Sequence, residues 1–210
     1  PAGAGKSTIA KLLAEKLGIL YLDTGAMYRA MGLKVLENGG NPKNPDDVIP
    51  LLRDTDILVQ HENGKQKVYL DGRDVTSEIR TNQVSNAASD VGTIPEVRVK
   101  LVELQRQIAD KTSLVMDGRD IGTYVMPNAS LKIFLTASSE ERARRRWVEL
   151  REKGMDVDYN TVLQEIIQRD YNDSNRSFAP LRKADDAVLI DSTGKSIEQV
   201  IEEIEDLLKI

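Results

Sequence analysis

The sequence has no cysteine and a single histidine, His61. The first absence excludes disulfides, thiolate-bound zinc and a cysteine nucleophile. The second makes a histidine-based metal site untenable. A histidine general base could only be His61, which precedes Asn63-Gly64 and reads as a loop residue. No apolar run approaches the roughly 20 residues that cross a bilayer as a helix, and no signal-peptide pattern is present. These absences together point to a cytoplasmic protein that engages no membrane. A basic excess is missing too: 29 Lys and Arg stand against 34 Asp and Glu, a net charge of −5. That balance argues against a general nucleic-acid binder, which carries a basic face.

What is present is an ordinary globular composition, 40% apolar and 30% charged over 210 residues, enough for one good core. Ser7–Leu17 has helical apolar periodicity and stops at Gly18. "ILYLDT" reads as a short buried strand, and "GAMYRAMGLKVLENGG" as a helix ended by Asn38-Gly39-Gly40. "NPDDVIPLL" reads as a helix with Pro45 in its first turn. This alternation predicts a parallel sheet covered by helices. Two short strands joined through Asn63-Gly64 interrupt it as a hairpin, so about 56–92 is expected to be an inserted subdomain. Thr93-x-x-Glu96, Ser138-x-x-Glu141 and Ser196-x-x-Gln199 each predict a capped helix start. "SLVMD", "LKIFLTA" and "AVLIDST" read as strands, and "NTVLQEIIQRDYNDSNR" as a helix. The expectation is one α/β domain with its core at about 1–55 and 93–210.

The stretch "PAGAGKST" carries the chemistry. Gly3, Ala4, Gly5, Lys6, Ser7 and Thr8 match the end of G-x-x-x-x-G-K-[ST], a phosphate-binding loop. Its glycines let successive N–H groups turn inward on phosphate oxygens, and the helix that follows adds its positive end. Lys6 is expected to reach the β- and γ-phosphates, and the Ser7 hydroxyl to ligate Mg²⁺. The pattern's first glycine falls just before Pro1, and such a loop follows a strand. The sequence is therefore expected to lack its first strand. The bland reading, a glycine-rich helix start with a chance Lys-Ser, does not account for the βα alternation behind it.

A phosphate loop serves switches, motors and kinases alike. No guanine-reading Asn-Lys-x-Asp is present, and the arginines favour a kinase. Arg169, Asp173 and Arg176 lie at i, i+4 and i+7, so they share one helical face; the alternative is a solvated face with an i,i+4 ion pair. Arg142, Arg144, Arg145 and Arg146 crowd one helix, and Glu140, Glu141, Glu149 and Glu152 could neutralise them. "EKGMDVDYN" lies between these two helices, and a lid is expected at about 146–162. In "VMDGRDIG" a strand ends in Asp117, which could hold a Mg²⁺-bound water or an arginine; Arg119 could bind a phosphate and Asp120 an amino group. Asp23 and Thr24 end another strand, with Arg29 one turn on and Thr24 otherwise a plain N-cap.

"AGAGKST", "LDTGAMYR", "EIRTNQVSNAAS", "VRVKLVELQR", "MDGRDIGT" and "RDYNDSNRSFAPL" together resemble the bacterial cytidylate kinases over nearly the whole chain. Tyr124, Met126 and Asn128 depart from the Val, Phe and Asp expected there. The resemblance implies a phosphate-loop kinase fold with a nucleoside-monophosphate-binding insert. It implies transfer of the γ-phosphoryl group of ATP to CMP, to dCMP and less well to UMP, by a monomer. Lys6, Arg119, Asp117 and Arg176 would be catalytic. Arg29 and Arg119 would hold the acceptor phosphate, with Thr24 and Tyr28 lining its site. Ser89, Arg98 and Asp120 would read the cytosine edge. Arg169 and Asp173 would meet the ribose, and Arg176 the phosphates or the base. Adenine would lie near Asp191–Ser196. A carboxylate and a guanidinium suit the cytosine edge, and no general base is needed because the acceptor phosphate is already anionic. Another nucleoside monophosphate kinase, a slowly hydrolysing nucleotide switch and a nucleic-acid module remain as alternatives.

Overall fold

The computed structural model describes residues 1–62 and 64–208. In chain order its elements are α1 (Lys6–Leu17), β1 (Leu20–Asp23), α2 (Thr24–Glu37), α3 (Pro45–Leu52), β2 (Ile57–Glu62), β3 (Lys65–Leu70) and β4 (Arg73–Asp74). A 3-10 turn at Glu78–Arg80 leads into α4 (Asn82–Val91), α5 (Pro95–Ala109) and β5 (Leu114–Asp117). A π-helical turn at Ile121–Val125 precedes β6 (Ile133–Thr136), α6 (Ser139–Glu152), α7 (Tyr159–Asn175), β7 (Val188–Asp191) and α8 (Ile197–Leu208). The chain forms two compact units, Gly18–Gly118 and the union of Pro1–Leu17 with Arg119–Ile210.

The Gly18–Gly118 unit is built around α2. Met27 and Met31 on that helix are fully buried with Val48, Val68, Ile79 and Leu101. Each such side chain contributes about 1.5–3 kcal/mol by leaving water. β1 and β5 pair in parallel, from Leu20 opposite Leu114 to Asp23 opposite Asp117, so both strands end in an aspartate at the same level. β2 and β3 form the expected antiparallel hairpin with Glu62 opposite Lys65. Gly64 takes the positive φ of 73° that this turn requires; its predicted partner Asn63 lies outside the described residues. His61 is on strand β2 rather than in a loop, and its Nε2 bonds the Tyr21 carbonyl at 2.7 Å. The strand runs one residue past His61, to Glu62.

α4 crosses α2 at Gly32. A Cβ added there would lie 2.9 Å from the Ala88 nitrogen and 3.0 Å from the Ala87 carbonyl carbon, so only glycine permits this approach. α5 starts one residue later than the capping signal implied. Pro95 occupies its first turn, Ile94 is the N-cap, and the Thr93 hydroxyl donates backward to the Asp90 carbonyl at 2.7 Å. Thr93 thus closes the end of α4 instead of opening α5.

In the other unit β6 and β7 pair in parallel, Ile133 opposite Val188 through Thr136 opposite Asp191. The predicted parallel pairing therefore exists as two two-stranded ladders, one in each unit. Ser138 caps α6 through the Glu141 N–H at 3.2 Å. Ser196 and Gln199 cap α8 reciprocally, at 3.3 and 2.8 Å. α6 and α7 form a hairpin with its own small core of Ala143, Leu150, Val162 and Ile166. Trp147 closes that core by donating from Nε1 to the Val157 carbonyl at 2.9 Å.

Candidate functional site

The phosphate-loop residues lie at the start of α1. Gly3 and Gly5 have φ of 71° and 87°, which side-chain-bearing residues rarely adopt, and this is the curl such a loop needs. Ala4 is buried, whereas Ser7 and Thr8 are exposed in the first turn of α1. The Ile9 N–H closes that turn on the Gly5 carbonyl at 3.0 Å. Lys6 Nζ donates to the Pro1 carbonyl at 2.5 Å, so the ammonium curls back over the loop.

A buried arginine fixes the loop from beneath. Arg142 donates to the carbonyls of Ala2 at 2.8 Å and Ala137 at 2.9 Å, and pairs with Asp170 at 2.6 Å. Asp170 in turn accepts from the Ala2 N–H at 3.1 Å. A charge buried in this way keeps its place only because every partner is present. Sequence spacing alone places Arg142 with its neighbours on one crowded charged helix. The helical register separates them: Arg144 and Arg145 are neutralised by Glu141, and Arg146 by Glu149. The two arginines beside Glu141 hold its carboxyl below the usual range, the hydrogen bond from Arg144 being the largest cause. Arg145 also donates to the Ser192 carbonyl at 2.8 Å, tying α6 to the Asp191–Ser196 turn.

The same unit carries Arg119, Asp120, Arg169, Asp173 and Arg176. Arg119 and Asp173 form an ion pair through Nε, with Asp173 7% exposed. The i,i+4 spacing had offered Arg169 as the partner of Asp173. The fold instead gives it Arg119, and Arg169 lies exposed on α7. Asp120 is buried at 5%, and its carbonyl accepts the N–H groups of Tyr124 and Val125 at 2.9 and 3.1 Å. Arg176 caps the end of α7 and donates from Nε to the Ala179 carbonyl at 2.6 Å.

The remaining candidates belong to the Gly18–Gly118 unit. Asp23, and not Thr24, is the N-cap of α2: its Oδ1 accepts from the Ala26 N–H at 3.1 Å. Thr24 is already inside the helix, and its hydroxyl donates to the Asp117 carbonyl at 2.7 Å. The Asp117 carboxylate accepts from the Tyr21 hydroxyl at 3.1 Å. Asp23 Oδ2 holds two arginines, Arg29 at 2.6 Å and Arg80 at 3.5 Å. Arg80 is not among the site residues expected from the sequence. Its signal was the "EIR" just ahead of the α4 cap Thr81, but only folding brings it to Asp23, 57 residues away. Arg98 is 2% exposed, donates to the Gly92 carbonyl at 3.0 Å, and stands over the Tyr28 ring at 5.3 Å. Ser89 is exposed on α4.

Comparison with known proteins decides between the families this chemistry allows. The family model described as cytidylate kinase matches residues 1–209. The chain belongs to the cytidylate kinase family. Among curated relatives, cytidylate kinase of Caldicellulosiruptor bescii is 56% identical over 207 residues, covering 99% of this chain and 92% of that protein. Cytidylate kinase of Clostridioides difficile is 52% identical, covering 97% and 93%. That of Streptococcus gordonii is 50% identical, covering 100% and 93%. Membership makes the chain a kinase, a nucleotide-binding transferase with the α/β phosphate-loop fold. Among the described residues no helix is long and apolar enough to cross a membrane.

Proposed function

We propose that the chain transfers the γ-phosphoryl group of ATP to CMP and dCMP, and more weakly to UMP, giving ADP and the nucleoside diphosphate. The observation that carries this reading is the glycine-turned loop at Gly3–Thr8, held by Arg142 and Asp170, in a chain of the cytidylate kinase family. Lys6 neutralises the donor's β- and γ-phosphates. Phosphoryl transfer needs charge neutralisation and alignment rather than covalent help from the protein, so arginines suffice. Arg29 and Arg80, preset on Asp23, and Arg119, preset on Asp173, are arginine forks suited to phosphate oxygens. Arg98 and Asp120 supply a donor and an acceptor for the cytosine edge, with Ser89 beside them in role. Asp173 and Arg169 serve the ribose. Thr24 and Tyr28 line the acceptor site, Asp117 sits at the strand end beside them, and Arg176 completes the charge set.

Mg²⁺ fits the donor set. Ser7 offers one exposed hydroxyl at the loop, and Mg²⁺ characteristically keeps several waters and takes its remaining ligands from phosphates. The ion would neutralise charge on the transferring phosphoryl group. The stretch about 146–162, the end of α6 with the loop before α7, acts as the lid. The insert at about 56–92 serves the monophosphate within one kinase domain, and the working form is a monomer in the cytoplasm.

The test is a coupled ADP assay of the full-length protein with ATP and Mg²⁺, offering CMP, dCMP, UMP, AMP and GMP in parallel. Strong turnover with CMP and dCMP, lost in Lys6→Ala and Asp120→Ala, is expected. Preference for AMP or GMP would overturn the assignment of the base pocket. ADP formation without any acceptor would overturn the kinase reading.

A further inference from the structure

Two segments of the unit formed by Pro1–Leu17 and Arg119–Ile210 carry four of the residues assigned above: Arg119, Asp120, Asp173 and Arg176. One runs from Arg119 and Asp120 into the π-helical turn Ile121–Val125. The other runs from Asp173 through Arg176 into the loop at 177–181. A π-helical turn is an uncommon and weakly self-supporting conformation, so its surroundings must hold it. Here the holding contacts are specific. Val125 is buried at 1%. Gly122 lies against the aliphatic stem of Lys132, whose buried ammonium donates to the Pro127 carbonyl and to both oxygens of Asp186. Tyr124 meets Phe178 edge to face, with ring centroids 5.2 Å apart and planes at 78°.

Phe178 sits in a loop that is itself constrained. Arg176 Nε reaches the Ala179 carbonyl, and Ala179 has a φ of 46°, uncommon for a residue with a side chain. The Leu181 N–H then returns to the Asp173 carbonyl at 2.8 Å. The two segments are thus joined twice, by the Arg119–Asp173 ion pair and by the Tyr124–Phe178 ring contact. One joint alone is a pivot; two fix an angle.

We propose that Tyr124 and Phe178 form a positioning pair that sets Asp120 against Arg176 and so tunes acceptor affinity. The inference rests on the acceptor-binding roles proposed for those two residues. The rings need not touch the acceptor to do this. They act through the backbone of the π-helical turn, whose first carbonyl belongs to Asp120, and through the loop that Arg176 closes.

The experiment compares Tyr124→Val, Phe178→Val, the double variant and Tyr124→Phe in the full-length enzyme. kcat, KM for the acceptor, KM for ATP, acceptor affinity by calorimetry and Tm are read for each. Either valine variant is expected to raise KM and Kd for the acceptor by about three- to tenfold, the equivalent of one aromatic pair. KM for ATP should stay near wild type, and any fall in kcat, which would come through Arg176, should be smaller than the loss of acceptor affinity. Tyr124→Phe keeps the ring and should restore wild-type affinity, and the double variant should cost no more than one single. A fall in Tm with acceptor affinity unchanged, or additive singles, would show that the rings only support the fold and would overturn the proposal. Wild-type turnover identifies the acceptor first. If that acceptor is not CMP, the functional reading fails separately, and the pair is judged with the acceptor found. A wild type that binds no nucleoside monophosphate overturns both.

Discussion

Replacing Gly32 with alanine sets two opposing effects against each other in one residue. In a helix interior alanine is favoured over glycine by about 1 kcal/mol, so propensity alone predicts a stabilised α2. The tertiary contact predicts the opposite. The new Cβ would stand 2.9 Å from the Ala88 nitrogen, and 3.0 Å from both the Ala87 carbonyl carbon and the Ala87 Cβ. Two of these three atoms are backbone, so no rotamer change relieves them, and α4 must move away by several tenths of an ångström. Overpacking that forces a backbone shift costs about 1–3 kcal/mol, and a clash with two backbone atoms puts this site at the upper end, about 3 kcal/mol before the propensity gain is subtracted. The net expectation is a loss of about 2 kcal/mol, or a fall in Tm of roughly 4–8 °C for a chain of this size. α4 carries Ser89, so KM for the acceptor should rise while KM for ATP holds. Differential scanning calorimetry with acceptor and ATP titrations reads both. Adding Ala87→Gly removes only the Cβ contact and should not rescue the variant. A Tm at or above wild type for Gly32→Ala would refute the reasoning, because it would mean that the helices separate freely.

Three further outcomes follow from the charged contacts. Arg142→Leu strips two carbonyls and Asp170 of their buried partner; charged hydrogen bonds are worth about 1.5–3 kcal/mol, so KM for ATP should rise at least tenfold with KM for CMP little changed. Arg80→Ala removes an exposed arginine whose ion pair with Asp23 is long, so Tm should move by less than about 1 °C, yet KM for the acceptor should rise several-fold in the coupled assay. The Lys132 ammonium beside Asp186 holds that carboxyl below its ordinary value. A depressed folded-state pKa contributes stability above the unfolded value of about 3.9 and loses it as pH falls through the lower folded value. Asp186→Asn should therefore lower Tm at neutral pH, with the deficit closing as the pH drops into the acid range.

The features legible from sequence are those whose cause is local. Gly3 and Gly5 announce a turned loop because few other residues accept those backbone angles, and Lys6-Ser7 follows at fixed spacing. Ser138 and Ser196 announce helix starts because their hydroxyls reach N–H groups only three residues on. The β2–β3 hairpin and the last strand are readable for the same reason. Where local signals competed, the neighbouring element decided: Thr93 had a cap partner on paper but serves the preceding helix, and Asp23 took the capping role that Thr24 could have filled.

Arg144, Arg145 and Arg146 take the helix neighbours that spacing offers, Glu141 and Glu149, but for Asp173, Arg142 and Arg80 partner choice was a matter for the tertiary structure. Arg169 stands four residues from Asp173 along α7, yet Asp173 pairs with Arg119, 54 residues away. Arg142 reads as one of four surface arginines, yet it is buried beneath Ala2, 140 residues earlier. Arg80 joins Arg29 on Asp23, and a π-helical turn carries Tyr124 to Phe178, neither of which any local pattern signals. The physical reason is range. Backbone propensity and capping act over a few residues and are written in adjacent letters. A long flexible cation instead takes whichever carboxylate the packed elements bring near it, and only the fold settles which one that is.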